Sequence, residues 1–391
     1  MELVYFDQAA TSYPKGDGVV DAMVKFMTSV GTNINRGSYG KAYDTAQIVY
    51  ETREKLARFF DFSPIPNGIK NVIFTSNITY GLNFILKGFL KEGDHVLVSS
   101  LEHNATMRPL VQLQNERYVT FDRIPCSRDG ELMLEKIEDM IHSNTKAIIM
   151  THGSNVCGTL LPIKEVGEIA HKNNLKFIVD TAQTAGVFPI SMKEMHIDAL
   201  AFTGHKGLLG PQGIGGFIIT DEMSDEMTAL VSGGTGSVSD REDVPNFLPD
   251  KYEAGTLNLP GIIGLHASLS YLEKIGIQTI REKELRLTQR FLDGITNLQG
   301  LKIIGKENCN NRTAVVSIQC DIVDEAVLAF TLDNEYGVMT RVGMHCAPYA
   351  HKTLDTFPKG TLRFSFGFHN TEEEVDYVIH AIETICNESI K

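Results

Sequence analysis

Lys206 stands in Ala201-Phe202-Thr203-Gly204-His205-Lys206-Gly207, just after an apolar run from Ala199 to Phe202. Upstream, Phe177-Ile178-Val179 leads straight into Asp180, and Gln183 follows in the next turn. A lysine closing one buried strand and an acid closing the strand before it are the groups a pyridoxal phosphate site requires. The amine can hold the cofactor as a Schiff base, and the carboxylate can keep a pyridine nitrogen protonated so that the ring withdraws electrons. A strand-end lysine on its own is usually solvated. The pairing with Asp180 gives this one chemical meaning.

Other chemistry-bearing groups also fall at expected strand ends. Phe74-Thr75-Ser76-Asn77-Ile78-Thr79 leaves a strand and enters an expected helix, Tyr80–Leu90. Free N–H groups and the Thr79 hydroxyl at a helix start can seat a phosphate, although N-capping by Ser76, Asn77 or Thr79 is the commoner reason for such residues. Thr203 and His205 could add contacts beside Lys206. In Glu102-His103-Asn104 an imidazole could stack on a ring and move protons, while Asn155 in Ser154–Gly158 offers an amide. A lone loop histidine more often has no such role. Cys346, in Arg341-Val342-Gly343-Met344-His345-Cys346-Ala347-Pro348, is a candidate nucleophile. Arg363, in Thr361-Leu362-Arg363-Phe364-Ser365, carries the planar fork that clamps a carboxylate. The glycine run Gly210–Gly216 has the wrong spacing for a dinucleotide fingerprint and precedes a strand. No phosphate-binding loop of the Walker type occurs, and no spacing of His, Cys or acids suggests a metal.

These groups need a scaffold that gathers strand ends. Apolar, β-branched runs at Asn71–Thr75, His95–Ser99, Ala147–Met150, Lys176–Val179, Ala199–Phe202 and Gly216–Thr220 alternate with helix-period stretches such as Tyr80–Leu90, Met133–Ile141 and Ile163–Asn173. That order predicts an α/β fold with a mostly parallel sheet and ligands at the carboxyl ends of its strands. A Gly/Ser/Asp-rich stretch, Gly233 to Asp250, breaks the pattern. Beyond it a helical segment over about Gly261–Leu298 contains a charge run, Arg281–Arg286, expected to be exposed. Strand–helix alternation then continues to the end. The reading is a large domain over 15–260 and a smaller α/β domain from 1–14 and 261–391. With 391 residues, 42% of them hydrophobic, and a net charge of −13, the chain has the composition of a globular protein. The acidic balance argues against nucleic acid or an anionic membrane as partner. No signal-peptide pattern or membrane-length apolar run is present, so the expected location is cytoplasmic. The six cysteines form no C-x-x-C and are expected reduced.

Taken together and in order, the motifs resemble the class V aminotransferase-fold, pyridoxal-phosphate enzymes, in particular the cysteine desulfurase and selenocysteine lyase group. The resemblance runs from Phe6-Asp7-Gln8-Ala9-Ala10-Thr11 through Asn35-Arg36-Gly37, Thr75–Thr79, Glu102-His103, Ser154–Gly158, Asp180–Gln183, Thr203–Lys206, Tyr252–Thr256 and Arg341–Cys346 to Arg363-Phe364-Ser365. It implies the pyridoxal-phosphate-dependent transferase fold, like that of aspartate aminotransferase. It also implies roles: Lys206 as the Schiff-base lysine, Asp180 on the pyridine nitrogen, Gln183 on the ring hydroxyl and His103 stacked on the ring. Thr79, with Asn77 and Ile78, and Thr203 and His205 would cradle the phosphate. Thr256 would reach the neighbouring subunit's phosphate, which implies a homodimer. Arg363 and Asn155 would hold the substrate, with Asn155 also near the cofactor, and Ala9 and Ala10 would line the pocket. Cys346 matches the cysteine that takes sulfur as a persulfide, and its close approach in sequence to Arg363 resembles the branch with a short cysteine loop, which passes sulfur to an acceptor protein.

The chain departs from the family's usual pattern at Asn77-Ile78-Thr79, at Ser38 and across Val342–Lys352. The expected activity is conversion of L-cysteine to L-alanine with a persulfide on Cys346. The alternatives are a selenocysteine lyase acting on L-selenocysteine, another aminotransferase or lyase of the class, and a non-enzymatic sulfur-relay scaffold.

Overall fold

A computed structural model describes residues 3–35, 37–63, 67–238 and 240–390; Arg36 lies outside them. After a short first strand, β1 (Val4–Tyr5), seven strands build the main sheet among the described residues. They are β2 (Val72–Thr75), β3 (His95–Ser99), β4 (Thr120–Ile124), β5 (Thr145–Thr151), β6 (Lys176–Asp180), β7 (Ala199–Thr203) and β8 (Gly215–Ile219). Their spatial order is β2-β8-β7-β6-β5-β3-β4, and β8 alone runs against its neighbours. The expected mostly parallel sheet is thus present. β4 escapes a search for apolar runs because it is an edge strand whose residues alternate between exposed and partly buried.

The helices are α1 (Val19–Lys25), α2 (Gly40–Phe59), α3 (Ile78–Phe89), α4 (Asn104–Arg117), α5 (Ile163–Lys172), α6 (Asp221–Glu226), α7 (Leu259–Ile275), α8 (Ile277–Ile295), α9 (Glu325–Tyr336), α10 (Pro348–Thr353) and α11 (Glu372–Ile390). Successive strand residues feed opposite faces of the main sheet. Leu97 and Ile148 share a core with Leu56, Val166 and Leu265 of α2, α5 and α7. Val96, Val98 and Ile149 share another with Leu82 and Leu110 of α3 and α4. Each such aliphatic side chain, fully withdrawn from water, contributes about 1.5–3 kcal/mol.

The remaining strands are β9 (Leu301–Ile304), β10 (Val315–Cys320), β11 (Val338–Met339), β12 (Arg341–Gly343) and β13 (Thr361–Ser365). An antiparallel sheet in the order β12-β13-β10-β9 packs with Phe291 of α8, Leu328 of α9 and Val378 of α11. β1 joins this end of the molecule by pairing in parallel with β11, Val4 opposite Val338. The helical stretch expected over 261–298 is two helices, broken at Gly276, whose φ of 83° ends α7. The cores change over within this pair: Leu265 and Leu269 lie in the main sheet's core, Leu287 and Phe291 in the smaller one. Within the run Arg281–Arg286, Glu284 is buried rather than exposed, because it is on the inward face of α8 beside Leu287 and Thr288. The helix expected at Met133–Ile141 is instead two single 3₁₀ turns, Leu134–Lys136 and Glu138–Met140. Ile137 is the one residue between Met133 and Ile141 that is fully buried, too little apolar anchoring to sustain an α-helix. No helix among the described residues is long and apolar enough to cross a membrane.

Candidate active site

Asp180 is the last residue of β6 and Lys206 follows β7, its parallel neighbour, so both groups lie at the same edge of the sheet. The turns that carry them are packed backbone to backbone. Gly186, at φ 94°, lies so close to the second turn that a Cβ there would stand 2.0 Å from the Gly207 carbonyl oxygen. Thr181 adds a side-chain hydrogen bond to Ala201 O across the same seam, at 2.8 Å. Asp180 is buried and accepts from Ala182 N at 2.8 Å. Burial raises its carboxyl above the usual range, opposed by that N–H and by Lys206. Desolvation lowers Lys206 to about 8 in spite of Asp180, and Arg363 adds to the lowering. Both shifts have one origin, a dry pocket that penalises charge.

Around this pair Thr203 and His205 each present a buried polar atom, Oγ1 and Nδ1, without a hydrogen-bond partner. Burial, then Lys206 and Lys15, lowers the His205 imidazole to about 4. Gln183 donates to Ala9 O at 3.1 Å. Ala9 lines a cavity of about 50 Å³ with Gln8, Gln183, Lys206, Glu284 and Ser365, and its N–H is fixed by Ser365 Oγ at 2.9 Å. Ala10 continues the same turn, its N–H bonded to Asp7 O.

Arg363 is 2% exposed on β13. Its Nη2 pairs with Asp7 Oδ1 at 3.0 Å and its Nη1 donates to Asn155 O at 3.1 Å, while Nε has no partner. The other Asp7 oxygen holds Arg341 Nη2 at 2.7 Å, and the two arginines face each other across β12 and β13. The fork is therefore parked on one carboxylate, with a donor to spare. Asp7 and Glu284 belong to this site; the sequence points to the first only through the run Phe6-Asp7-Gln8, and the second is hidden in the charge run Arg281–Arg286.

A second group lies next to it. His103 caps α4, its Nδ1 accepting from Ala105 N at 3.0 Å. Burial, Lys206 and Arg363 in that order, with Arg108, lower the imidazole to about 4, so it is neutral at physiological pH. Asn77 caps α3 by accepting from Tyr80 N, which leaves Ile78 and Thr79 in the first helical turn. Thr79, His103, Arg108 and Cys346 share a cavity of about 240 Å³. Cys346 is exposed, unlike the other five cysteines, which are buried or partly buried. It and His345 both have positive φ, 56° and 46°, a conformation unfavourable for side chains other than glycine. Two asparagines hold the loop in place: the Asn155 amide donates to His345 O at 2.7 Å, and Asn104 N donates to Cys346 O at 2.8 Å. His345 is no counterion for the thiol. Burial, then Arg363 and His351, drives it down to about 2, and its Nε2 is engaged by Thr361 Oγ1 at 2.9 Å.

Thr256 is not brought to either group within one chain. It lines a separate recess of about 700 Å³ with Asn35, Arg53, Thr235 and Glu253. A buried ion pair, Arg53 Nη2 to Glu253 Oε2 at 2.6 Å, anchors that segment to α2.

A family model described as Aminotransferase class-V matches residues 4–378. A protein named probable cysteine desulfurase, from Methanothermobacter thermautotrophicus, is 32% identical over 387 residues, spanning 98% of this chain and 94% of its own. One named cysteine desulfurase, from Haloferax volcanii, is 31% identical and spans 97% and 89%. Among solved structures, the apo cysteine desulfurase of Thermococcus onnurineus has a TM-score of 0.92 at 31% identity, covering 99% of this chain and 95% of that one. A cysteine desulfurase from Escherichia coli in an S-sulfonic acid form gives 0.88 at 27% identity, covering 98% and 94%. The α/β transferase fold expected from the sequence is the one this chain shares with them.

Proposed function

The chain belongs to the class-V aminotransferase family, and from that membership we propose that it is a pyridoxal-phosphate-dependent cysteine desulfurase that converts L-cysteine to L-alanine and carries the sulfur on Cys346. The observation that carries the reading is Cys346, the exposed cysteine, sharing a cavity with Thr79 and His103 beside the Lys206–Asp180 pair. The residues fit the cofactor. Thr203 Oγ1 and His205 Nδ1 are buried donors or acceptors awaiting a partner. Asp180 is a buried acid whose carboxyl burial raises, and a protonated ring nitrogen opposite it would favour its ionised form. Lys206, Asp180, Gln183, His103, Asn155, Thr203 and His205 would hold the group, with Asn77, Ile78 and Thr79 at the phosphate. Thr256 would reach it from the neighbouring subunit of a homodimer.

When bound, pyridoxal phosphate supplies an electron sink for the carbanion formed at the substrate's α-carbon. The rest belongs to the chain. Lys206, whose desolvated amine is lowered to about 8, takes the α-proton at Nζ. Arg363 turns its unpartnered Nε to the α-carboxylate, which Asp7 would otherwise repel, and this fixes the substrate's orientation. Cys346 Sγ, as thiolate, attacks the substrate sulfur; the S–S bond forms as the Cβ–S bond breaks, and the carbon takes the electron pair and then a proton. The two asparagine tethers keep the thiol on its cavity wall, so an acceptor protein would collect the persulfide there.

The test is anaerobic turnover of L-cysteine and L-selenocysteine side by side, for the parent enzyme and Cys346→Ala, with alanine quantified. Cysteine turnover that the variant loses is the expected result. Efficient reaction with selenocysteine alone makes the chain a selenocysteine lyase, and absence of alanine from both substrates overturns the assignment.

A further inference from the structure

We infer that His95, Asp122 and His142 form a divalent-cation site, best matched to Zn²⁺, at the end of the main sheet remote from Lys206. No spacing in the sequence suggests it, since the residues come from the first position of β3, the middle of β4 and the turn before β5. Folding brings one ligand atom from each to within 4.8 Å of the others.

His95 supplies the independent sign of a ligand. It is 1% exposed, yet its Nε2 is buried without a hydrogen-bond partner. Asp122 Oδ2 stands 3.4 Å from it, and His142 Nε2 lies 3.8 Å from the same oxygen. These separations are long for N–H···O bonds, which cluster at about 2.7–3.2 Å. They lie near the edge of a tetrahedron around zinc: with Zn–N and Zn–O bonds of about 2.0–2.2 Å, two ligand atoms stand about 3.3–3.6 Å apart. Asp122 and His142 have half-exposed side chains and are free to reorient; the His142 ring, stacked on His95 with centroids 4.4 Å apart, would turn out of the stack so that both in-plane lone pairs meet one ion, leaving a fourth position to water.

The surroundings match. Thr145 Oγ1 lies 2.7 Å from His95 Nδ1, and it also accepts the backbone N–H of His142 at 2.8 Å. An Nδ1–H donated to that hydroxyl leaves the Nε2 lone pair for a metal, the arrangement by which outer partners orient ligating imidazoles. Two imidazoles, one carboxylate and a water suit zinc better than calcium or magnesium, which prefer oxygen. Because β3, β4, β5 and β6 are parallel, His95 and His142 sit at the amino ends of strands whose carboxyl ends face the catalytic pocket, with Asp122 beside them in the middle of β4. The metal would serve structure, fastening the edge strand β4 to β3 and to the lead-in of β5.

The experiment uses Cys346→Ala holoenzyme freed of metal by chelation, which removes the exposed thiol as a competing zinc ligand. Zn²⁺ alone is added by equilibrium dialysis and bound metal is measured. The expected result is about one equivalent per chain, weakened at least about 10-fold when His142→Gln or Asp122→Asn is added, the lower end of what even outer-shell changes cost. Both substituted side chains are half exposed, and circular dichroism verifies that the fold is intact. Co²⁺ in place of Zn²⁺ should give the visible ligand-field bands of a tetrahedral site. Failure to bind a stoichiometric metal overturns the inference, as does binding that both substitutions leave unchanged; the cluster is then a His–Asp ion pair and nothing more.

Discussion

Glu284 projects from α8 into the same cavity as Lys206, 7% exposed, with Phe368 N–H as its hydrogen-bond donor. Burial pushes its carboxyl from 4.5 to about 8. The native state therefore keeps a proton that the unfolded chain releases, and the stability this group permits is lost as pH rises from the lower value to the higher. Over that window each pH unit costs the native state about 1.4 kcal/mol. Glu284→Gln keeps an oxygen for Phe368 N–H and cannot ionise. It should exceed the parent in stability by about 1 kcal/mol at pH 5 and about 4 kcal/mol at pH 8, with the gap level beyond. Because the chain has no tryptophan, urea unfolding is best followed by far-ultraviolet circular dichroism, parent and variant together at each pH. Taking the difference cancels the titration of every other group. A gap that does not change between pH 5 and pH 8 would refute the reasoning, since it would mean that Glu284 is already ionised or well solvated in the fold. A kinetic consequence accompanies it: above pH 8 the new carboxylate in the cavity should raise KM for an anionic amino acid in the parent and not in the variant.

Two further outcomes are expected. Glu253 receives both terminal nitrogens of Arg53, at 2.9 and 2.6 Å, and Phe74 N at 2.7 Å. Glu253→Gln leaves a buried guanidinium uncompensated and should cost about 3–5 kcal/mol in urea unfolding, whereas Arg53→Met combined with Glu253→Leu should recover most of it; a double variant no more stable than the single one would count against a charge-based cause. Gly186→Ala would drive its methyl into the Gly207 carbonyl, separating the turns that carry Asp180 and Lys206. A displacement of about 1 Å costs on the order of 100-fold in turnover, so kcat and the visible cofactor absorbance should both fall, and parent-like values of the two would show that the seam is not needed.

What the sequence makes legible is local. Buried parallel strands are nearly continuous apolar runs, so the polar residue that ends one stands out, and Asp180 and Lys206 could be placed on neighbouring strands from their flanks alone. The thiol at Cys346 was legible through its loop. What was hidden depends on distance along the chain. Asp7 is one acid among many until β13 carries Arg363 to it. Glu284 sits inside a charge run that looks solvated, and only the packing of α8 turns it inward. His95, Asp122 and His142 belong to three separate motifs with no common period, and β4 itself is too polar on one face to announce a strand.

Asp7 and Arg363, bonded at 3.0 Å, are 356 positions apart. At roughly 5–20 residues per second, a ribosome takes about 20–70 s to pass from one to the other. All of β2–β8 is made in that interval, so Lys206 and Asp180 can occupy a finished sheet while the wall bearing the carboxylate clamp does not yet exist. The first residues of the chain must wait for nearly the last. A product of translation interrupted before Cys346 would thus retain the lysine and lack both Cys346 and Arg363, which couples the onset of chemistry to synthesis of the chain through Arg363.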